Sequence, residues 1–191
     1  MDRNTQTSLN NQHNREILCN IFPDLRNDAN FEILSPQTPL YNCIAWAMQF
    51  EDRWVSIFDY PNYWWPNGVE KTMSPDALIE AFEAVGFTLC DNRDLEESFD
   101  KVVLYKNEDK NEWTHAARII SETTEHSKFG QSFDGTHSHE VLCKTGIGYE
   151  DSSYGIPYAF MKRSKSFTIK EKSLTGNIET NLELLRQLLK K

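Results

Sequence analysis

A cysteine at the start of a helix has chemistry open to it that a cysteine elsewhere lacks. The stretch Tyr41-Asn42-Cys43-Ile44-Ala45-Trp46-Ala47-Met48 places Asn42, a good N-cap residue, directly before Cys43. The upstream Ser35-Pro36-Gln37-Thr38-Pro39 cannot be helical, because each proline biases the residue before it away from the α region. A helix is therefore predicted to start near Asn42. The Cys43 thiol then sits in its first turn, where free N–H groups and the helix dipole favour a thiolate. His115 is the second candidate, on a predicted strand over 113–120 and beside the small Ala116 and Ala117, which let something approach that face closely. A thiol with an imidazole in reach is the pair that attacks an acyl carbon: the imidazole takes the proton and the sulfur attacks. The first-turn N–H groups, with a side chain such as Asn42, would stabilise the oxyanion. The competing reading is a small buried cysteine and a structural strand histidine.

Such a pair needs a third polar group to orient the imidazole, and strand alternation narrows the choice. Residues two apart share a face. A turn centred near Thr123 brings the neighbour of His115 on the next strand to residues 127–130. Ser127 and Lys128 both come close, but on opposite faces, and a one-residue slip would exchange them. His137, with Asp134 beside it, arrives only if the loop after Gly130 folds back over the sheet. The expectation is that His137 or Ser127 orients His115, while Lys128, which can only donate, contacts substrate or backbone carbonyls.

Metal chemistry has weaker support. His137 and His139 fall at i and i+2, with Glu140 next to them, but no further ligand has suitable spacing. The four cysteines, Cys19, Cys43, Cys90 and Cys143, show no CxxC pair, so neither a zinc site nor a disulfide framework is expected and the thiols are read as reduced. Gly146-Ile147-Gly148-Tyr149 lacks the GxGxxG pattern of a dinucleotide site. No metal and no cofactor are expected.

The elements that must position these residues follow from periodicity. Residues 1–13 are polar, and residues 14–25 suit a short amphipathic helix stopped near Pro23. Phe31-Glu32-Ile33-Leu34 reads as a short strand. Beyond the Cys43 helix, residues 52–69 hold Trp54, Phe58, Tyr60, Tyr63, Trp64 and Trp65 between prolines. These aromatics either wall a groove or fold back as a lid on the core; coming straight after the Cys43 helix, Trp64 and Trp65 are expected to border its cleft and bind substrate. Ser74-Pro75-Asp76 opens a helix ended by Gly86. Strands are predicted over 101–106, 113–120 and 125–129, joined by short turns as an antiparallel meander. A last strand is read over 158–161, stopped by Lys162-Arg163-Ser164-Lys165, and a helix over 177–191.

The chain has 191 residues, 39% of them hydrophobic, enough for one domain with a real core. Its 20 basic and 29 acidic residues give a formal charge of −9, which argues against unaided nucleic-acid binding. No apolar run reaches the roughly 18–20 residues of a membrane helix, and the first residues are not a signal peptide. A cytoplasmic protein is expected, without nucleic-acid or membrane partners and with its oligomeric state left open. A polar tail and short helix over 1–30, a core domain over 31–163 and a helical extension over 164–191 make up the expected organisation.

The order of helix-start cysteine, then meander with histidine on its second strand, resembles the papain-like cysteine hydrolases of the compact NlpC type. The matching segments are Asp100-Lys101-Val102-Val103-Leu104-Tyr105 and His115-Ala116-Ala117-Arg118-Ile119. The chain departs from that type in carrying Asn42 before the cysteine and Ile44-Ala45 after it. It is also similar to a family of uncharacterised, mostly microbial proteins that share Asn-Cys-Ile-Ala-Trp-Ala, Tyr-Trp-Trp-Pro, Thr-His-Ala-Ala-Arg and Ser-Lys-Leu-Gly, with a later Asp and His. Here those are residues 42–47, 63–66, 114–118, 127–130 (with Phe129 for the Leu), Asp134 and His137. The papain-like resemblance implies an α+β fold with a Cys-bearing helix packed on an antiparallel sheet. It also implies a cysteine hydrolase or acyltransferase acting on an amide bond of a peptide or protein: a peptidase, a deamidase or a transferase. The alternative is a non-catalytic interaction module that binds through its aromatic loop and C-terminal helix.

Overall fold

A computed structural model describes residues 9–143 and 153–168. The expected helix over 177–191 and the turn at 146–149 lie outside the described residues. One seven-stranded sheet dominates: β1 (Glu32–Ser35), β4 (Thr88–Cys90), β5 (Phe99–Asn107), β6 (Glu112–Ile119), β7 (Thr124–Lys128), β8 (Asp134–Ser138) and β9 (Ile156–Ser164). Its strand order is β1-β8-β7-β6-β5-β9-β4, and every neighbouring pair is antiparallel. A separate ribbon pairs β2 (Trp54–Val55) in parallel with β3 (Tyr63–Trp64). The helices are short: α1 (Gln12–Cys19), α2 (Cys43–Ala47) and α3 (Pro75–Glu83).

This overturns the expected papain-like, NlpC-type α+β class. The structure is mostly an antiparallel sheet, and the cysteine stands on a five-residue turn of helix rather than on a long helix packed across the sheet. The reason lies at the end of this helix. Gln49 adopts a left-handed φ of 72°. The N–H groups of Gln49 and Phe50 turn back to the Trp46 and Ala45 carbonyls at 2.9 and 2.8 Å, which is the double closure of a Schellman motif. A side chain rarely tolerates that φ. Here Gln49 is held by Asp100, which accepts from its Nε2 at 2.7 Å, and by Arg163, which donates to its Oε1 at 2.5 Å. Tertiary contacts thus stop a helix whose apolar pattern alone gives no reason to end.

The meander of β5, β6 and β7 appears as the periodicity predicts. Both faces of its centre are covered, so Val102 to Tyr105 are all buried: such a run loses the alternation of a half-exposed strand. Val102 and Leu104 face the cluster of α2, α3 and the tryptophans, while Val103 and Tyr105 face a second cluster with Ala117 and Ile119. The ladder skips Thr114, pairing Tyr105 with His115 and Lys106 with Trp113. This bulge turns Trp113 to the same face as Ala116 while His115 stays with Tyr105. Strand β9 runs from Ile156 through Ser164, longer than the sequence suggested. Its basic end continues because Lys162 pairs with Glu96 and Arg163 lies over the Phe87 ring at 4.4 Å.

Asn42 ties the cysteine turn to this framework. Its Oδ1 accepts from Ala45 N at 3.0 Å and Val55 N at 3.2 Å, and its Nδ2 donates to Val55 O at 2.7 Å. Asn42→Ala is expected to lower unfolding free energy by about 2–4 kcal/mol in chemical denaturation. A lost cap contributes about 1 kcal/mol, and the stranded Val55 groups contribute the rest. Asn42→Ser, which restores the cap alone, should recover only the smaller part.

Candidate functional site

Strands β6 and β7 are hydrogen-bonded only where Arg118 meets His126 and Ile119 meets Glu125. Beyond that they diverge, whereas β7 stays laddered to β8 along its whole length, from Thr124 opposite Ser138 to Lys128 opposite Asp134. The N-terminus of α2 lies at this opening. The backbone N–H groups of Ala116, Ile44 and Cys43 itself lie close enough to the Cys43 sulfur to favour its anion. Burial outweighs them and pushes the thiol up to about 11, while the nearby Lys128 ammonium also pulls downward. At rest Cys43 is therefore a neutral thiol held among N–H donors, not the thiolate the helix-start position suggests. The residue keeps partial solvent access.

His115 is fully buried, and burial, with the nearby His137, holds its pKa well below the usual imidazole range. Its Nε2 lies 2.9 Å from Ser127 Oγ, and Ser127 Oγ lies 2.8 Å from His137 Nε2. His137 Nδ1 lies 2.9 Å from the Ser138 carbonyl. A carbonyl can only accept, so His137 carries its proton on Nδ1 and its Nε2 is a bare acceptor. Ser127 must then donate to His137, and its oxygen must accept from His115 Nε2–H. That leaves His115 Nδ1 as the basic nitrogen. It is buried and has no hydrogen-bond partner, and its residue adjoins Ala116 in β6. No hydrogen bond joins Cys43 to His115 at rest. Alternation points the His115 ring to the Tyr105 face and Ala116, with the Cys43 that packs beside it, to the α2 face.

The remaining sequence candidates fall as follows. Lys128 is buried and donates to the Gly130 and Ser132 carbonyls at 2.6 Å each, stapling the β7–β8 turn; desolvation lowers it to about 8. The Asn42 amide is spent on Ala45 and Val55, so it positions the cysteine turn. Trp64 and Trp65 are 2% and 1% exposed and belong to the apolar cluster that Cys43 borders. Trp65 stacks on Trp113 at 6.0 Å, and Trp64 meets Phe50 edge-on at 5.5 Å. The exposed aromatics of that loop are Phe58 and Tyr60. Among the described residues no cluster of His, Cys, Asp and Glu could hold a metal ion, and no helix is long and apolar enough to cross a membrane.

Sequence reasoning missed Tyr154, whose ring lies parallel to His115 at 3.6 Å. It also missed the Tyr105–Glu125 pair behind it, in which the phenol donates to the carboxylate at 2.5 Å. Tyr154 opens a Tyr-Gly-Ile-Pro run that reads as a turn, with no signal that its ring turns inward.

A family model described as a domain of unknown function, DUF7689, matches residues 32–162. The chain belongs to this family. No curated protein and no solved structure matches it. The DUF7689 match spans Cys43, His115, Ser127, His137 and Tyr154 alike, so the whole side-chain assembly lies within the family's domain.

The relay gives the fold a pH signature. Burial holds the folded His137 imidazole down to about 4, against about 6.5 unfolded. Between those values the unfolded chain binds the extra proton, so stability falls as pH drops from about 6.5 toward 4. His137 alone accounts for about 3 kcal/mol of that fall, and His115 acts in the same direction. Glu125 opposes it, because burial raises its carboxyl to about 7. Comparing wild type with His137→Gln cancels the Glu125 contribution: between pH 7 and 4.5 the wild type should lose about 2 kcal/mol more in denaturant titrations.

Proposed function

We propose that this domain is a thiol-dependent acyl hydrolase or acyltransferase, with Cys43 as nucleophile and His115 Nδ1 as base. The supporting observation is that His115 Nδ1 is the one buried imidazole nitrogen without a hydrogen-bond partner among the described residues. Its tautomer is fixed by Ser127 and His137, and its residue adjoins Ala116, whose backbone N–H favours the Cys43 anion. In the reaction the Cys43 S–H proton passes to His115 Nδ1 as the S–C bond forms. The N–H groups of Ile44, Cys43 and Ala116 then share the developing oxyanion. Collapse expels the amine, which leaves with the proton from His115, and water or a second amine resolves the thioester. An amide of a peptide or protein is the substrate class this chemistry suits.

With its thiol pushed up to about 11, Cys43 reacts by base assistance rather than as a preformed thiolate. Incubation with a p-nitrophenyl ester should give one acyl adduct, located by peptide mass mapping at Cys43 and absent from Cys43→Ala. Acylation spread over Cys19, Cys90 and Cys143, or none at all, would reject the reading. The rival is a non-catalytic binding module. It rests on the stacked Trp54–Tyr63 pair (5.7 Å) with Tyr60 and Phe58 exposed beside it, and gains if the aromatic loop alone binds a partner and Cys43 stays inert.

A further inference from the structure

We propose that Tyr154 is a positioning residue of this site, whose ring caps His115, fixes the imidazole plane and favours the cation formed when His115 takes the thiol proton. The proposal rests on the Cys43–His115 reading above. The two rings are parallel to within 2° with centroids 3.6 Å apart, so the phenol covers one whole face of the imidazole. Tyr105 touches it from another side, tilted by 52° at 5.7 Å. Between these rings and Ser127, the imidazole has little freedom to turn.

Tyr154 is itself held firmly. Its N–H donates to the Leu142 carbonyl at 2.9 Å, its carbonyl accepts from the Thr114 hydroxyl, and its ring packs on Phe22 at 5.0 Å. The next residue, Gly155, has φ +95°, and a Cβ there would collide with the Lys106 carbonyl. Only glycine lets the chain pass so close to β5, and that passage brings the phenol over His115.

An aromatic face attracts a cation within about 6 Å of its centroid but gives a neutral imidazole no such gain. The stack therefore favours the imidazolium over the imidazole, and the gain appears as the proton arrives, where it lowers the barrier. No bond to Tyr154 forms or breaks.

The test compares wild type, Tyr154→Phe, Tyr154→Leu and His115→Ala in the ester acylation of Cys43. The ring, not the hydroxyl, does the positioning, so Tyr154→Phe should stay within about threefold of wild type. Tyr154→Leu fills a similar space without an aromatic face and should slow acylation about 10- to 30-fold. A measurement on the wild-type protein guards against a variant that misfolds: in histidine-labelled NMR spectra the His115 ring protons should be displaced upfield by the ring current of Tyr154. Ordinary shifts there would overturn the proposal. So would Tyr154→Leu matching wild type while His115→Ala is slow, or Tyr154→Phe being as slow as Tyr154→Leu. If His115→Ala itself matches wild type, the Cys43–His115 pairing fails and takes the Tyr154 assignment with it.

Discussion

His115→Ala is expected to slow acylation of Cys43 by about 10²- to 10⁴-fold, the usual contribution of a positioned general base. The shape of the pH profile should change too. Because His115 stays neutral well below the ordinary imidazole range, the wild-type base is available throughout, and its rate should be nearly flat from about pH 6.5 to 8. Without the imidazole the reaction must wait for the thiolate. With the thiol pushed up to about 11, the variant's rate should climb about tenfold per pH unit toward that value. Crossing profiles at high pH, measured by stopped reaction and mass spectrometry, would identify His115 as the base. A wild-type rate that also climbs tenfold per unit would show that the imidazole never takes the proton.

Most of the sheet could be read from the sequence because its strands carry strong local signals. Val102 to Leu104 is an apolar run, Trp113 to Ile119 mixes aromatic, β-branched and small residues, and polar turns bound both. Ser74-Pro75 marks a helix start in chemical terms, and α3 begins there, with Ser74 Oγ accepting from Ala77 N at 3.2 Å. The fold class is not legible in the same way, because it depends on a helix end. Residues 43–48 look like the beginning of something longer, and the contacts that stop it come from Asp100 and Arg163, far along the chain. β8 was equally hidden: Asp134-Gly135-Thr136-His137-Ser138 has no apolar period, and it is a strand because β1 and β7 flank it.

Register reasoning reached Ser127 as the neighbour of His115 because the Thr123 turn is short and the alternation strict. It could not choose between Ser127 and His137, since both belong to one chain of hydrogen bonds in which His137 acts on His115 only through Ser127. The state of the thiol was out of reach as well. Burial of Cys43 depends on how closely β6 and β7 approach the α2 terminus, and no local pattern encodes that packing.

Ser127→Ala should be the most damaging substitution in the relay, for stability and chemistry together. It removes the one atom that both accepts from His115 Nε2 and donates to His137 Nε2, leaving two buried imidazole nitrogens without partners. Each stranded group costs about 1–3 kcal/mol, so a loss of about 2–5 kcal/mol in unfolding free energy is expected. The chemical effect has a separate origin. With no acceptor at Nε2, the His115 proton is free to occupy Nδ1, and an imidazole protonated there cannot take one from the thiol. Histidines held in the wrong tautomer lose up to about 10⁴-fold in hydrolytic triads. A partial loss of about 10- to 100-fold is expected here, because the correct tautomer remains accessible once the constraint is gone. Ser127→Thr keeps the hydroxyl and should recover most of the rate even where crowding costs stability. Nitrogen-15 shifts of His115 report the outcome directly: Nε2 protonated in wild type and in Ser127→Thr, a mixture of tautomers in Ser127→Ala. A wild-type spectrum with Nδ1 protonated would reverse the direction of the whole relay and remove His115 as the base.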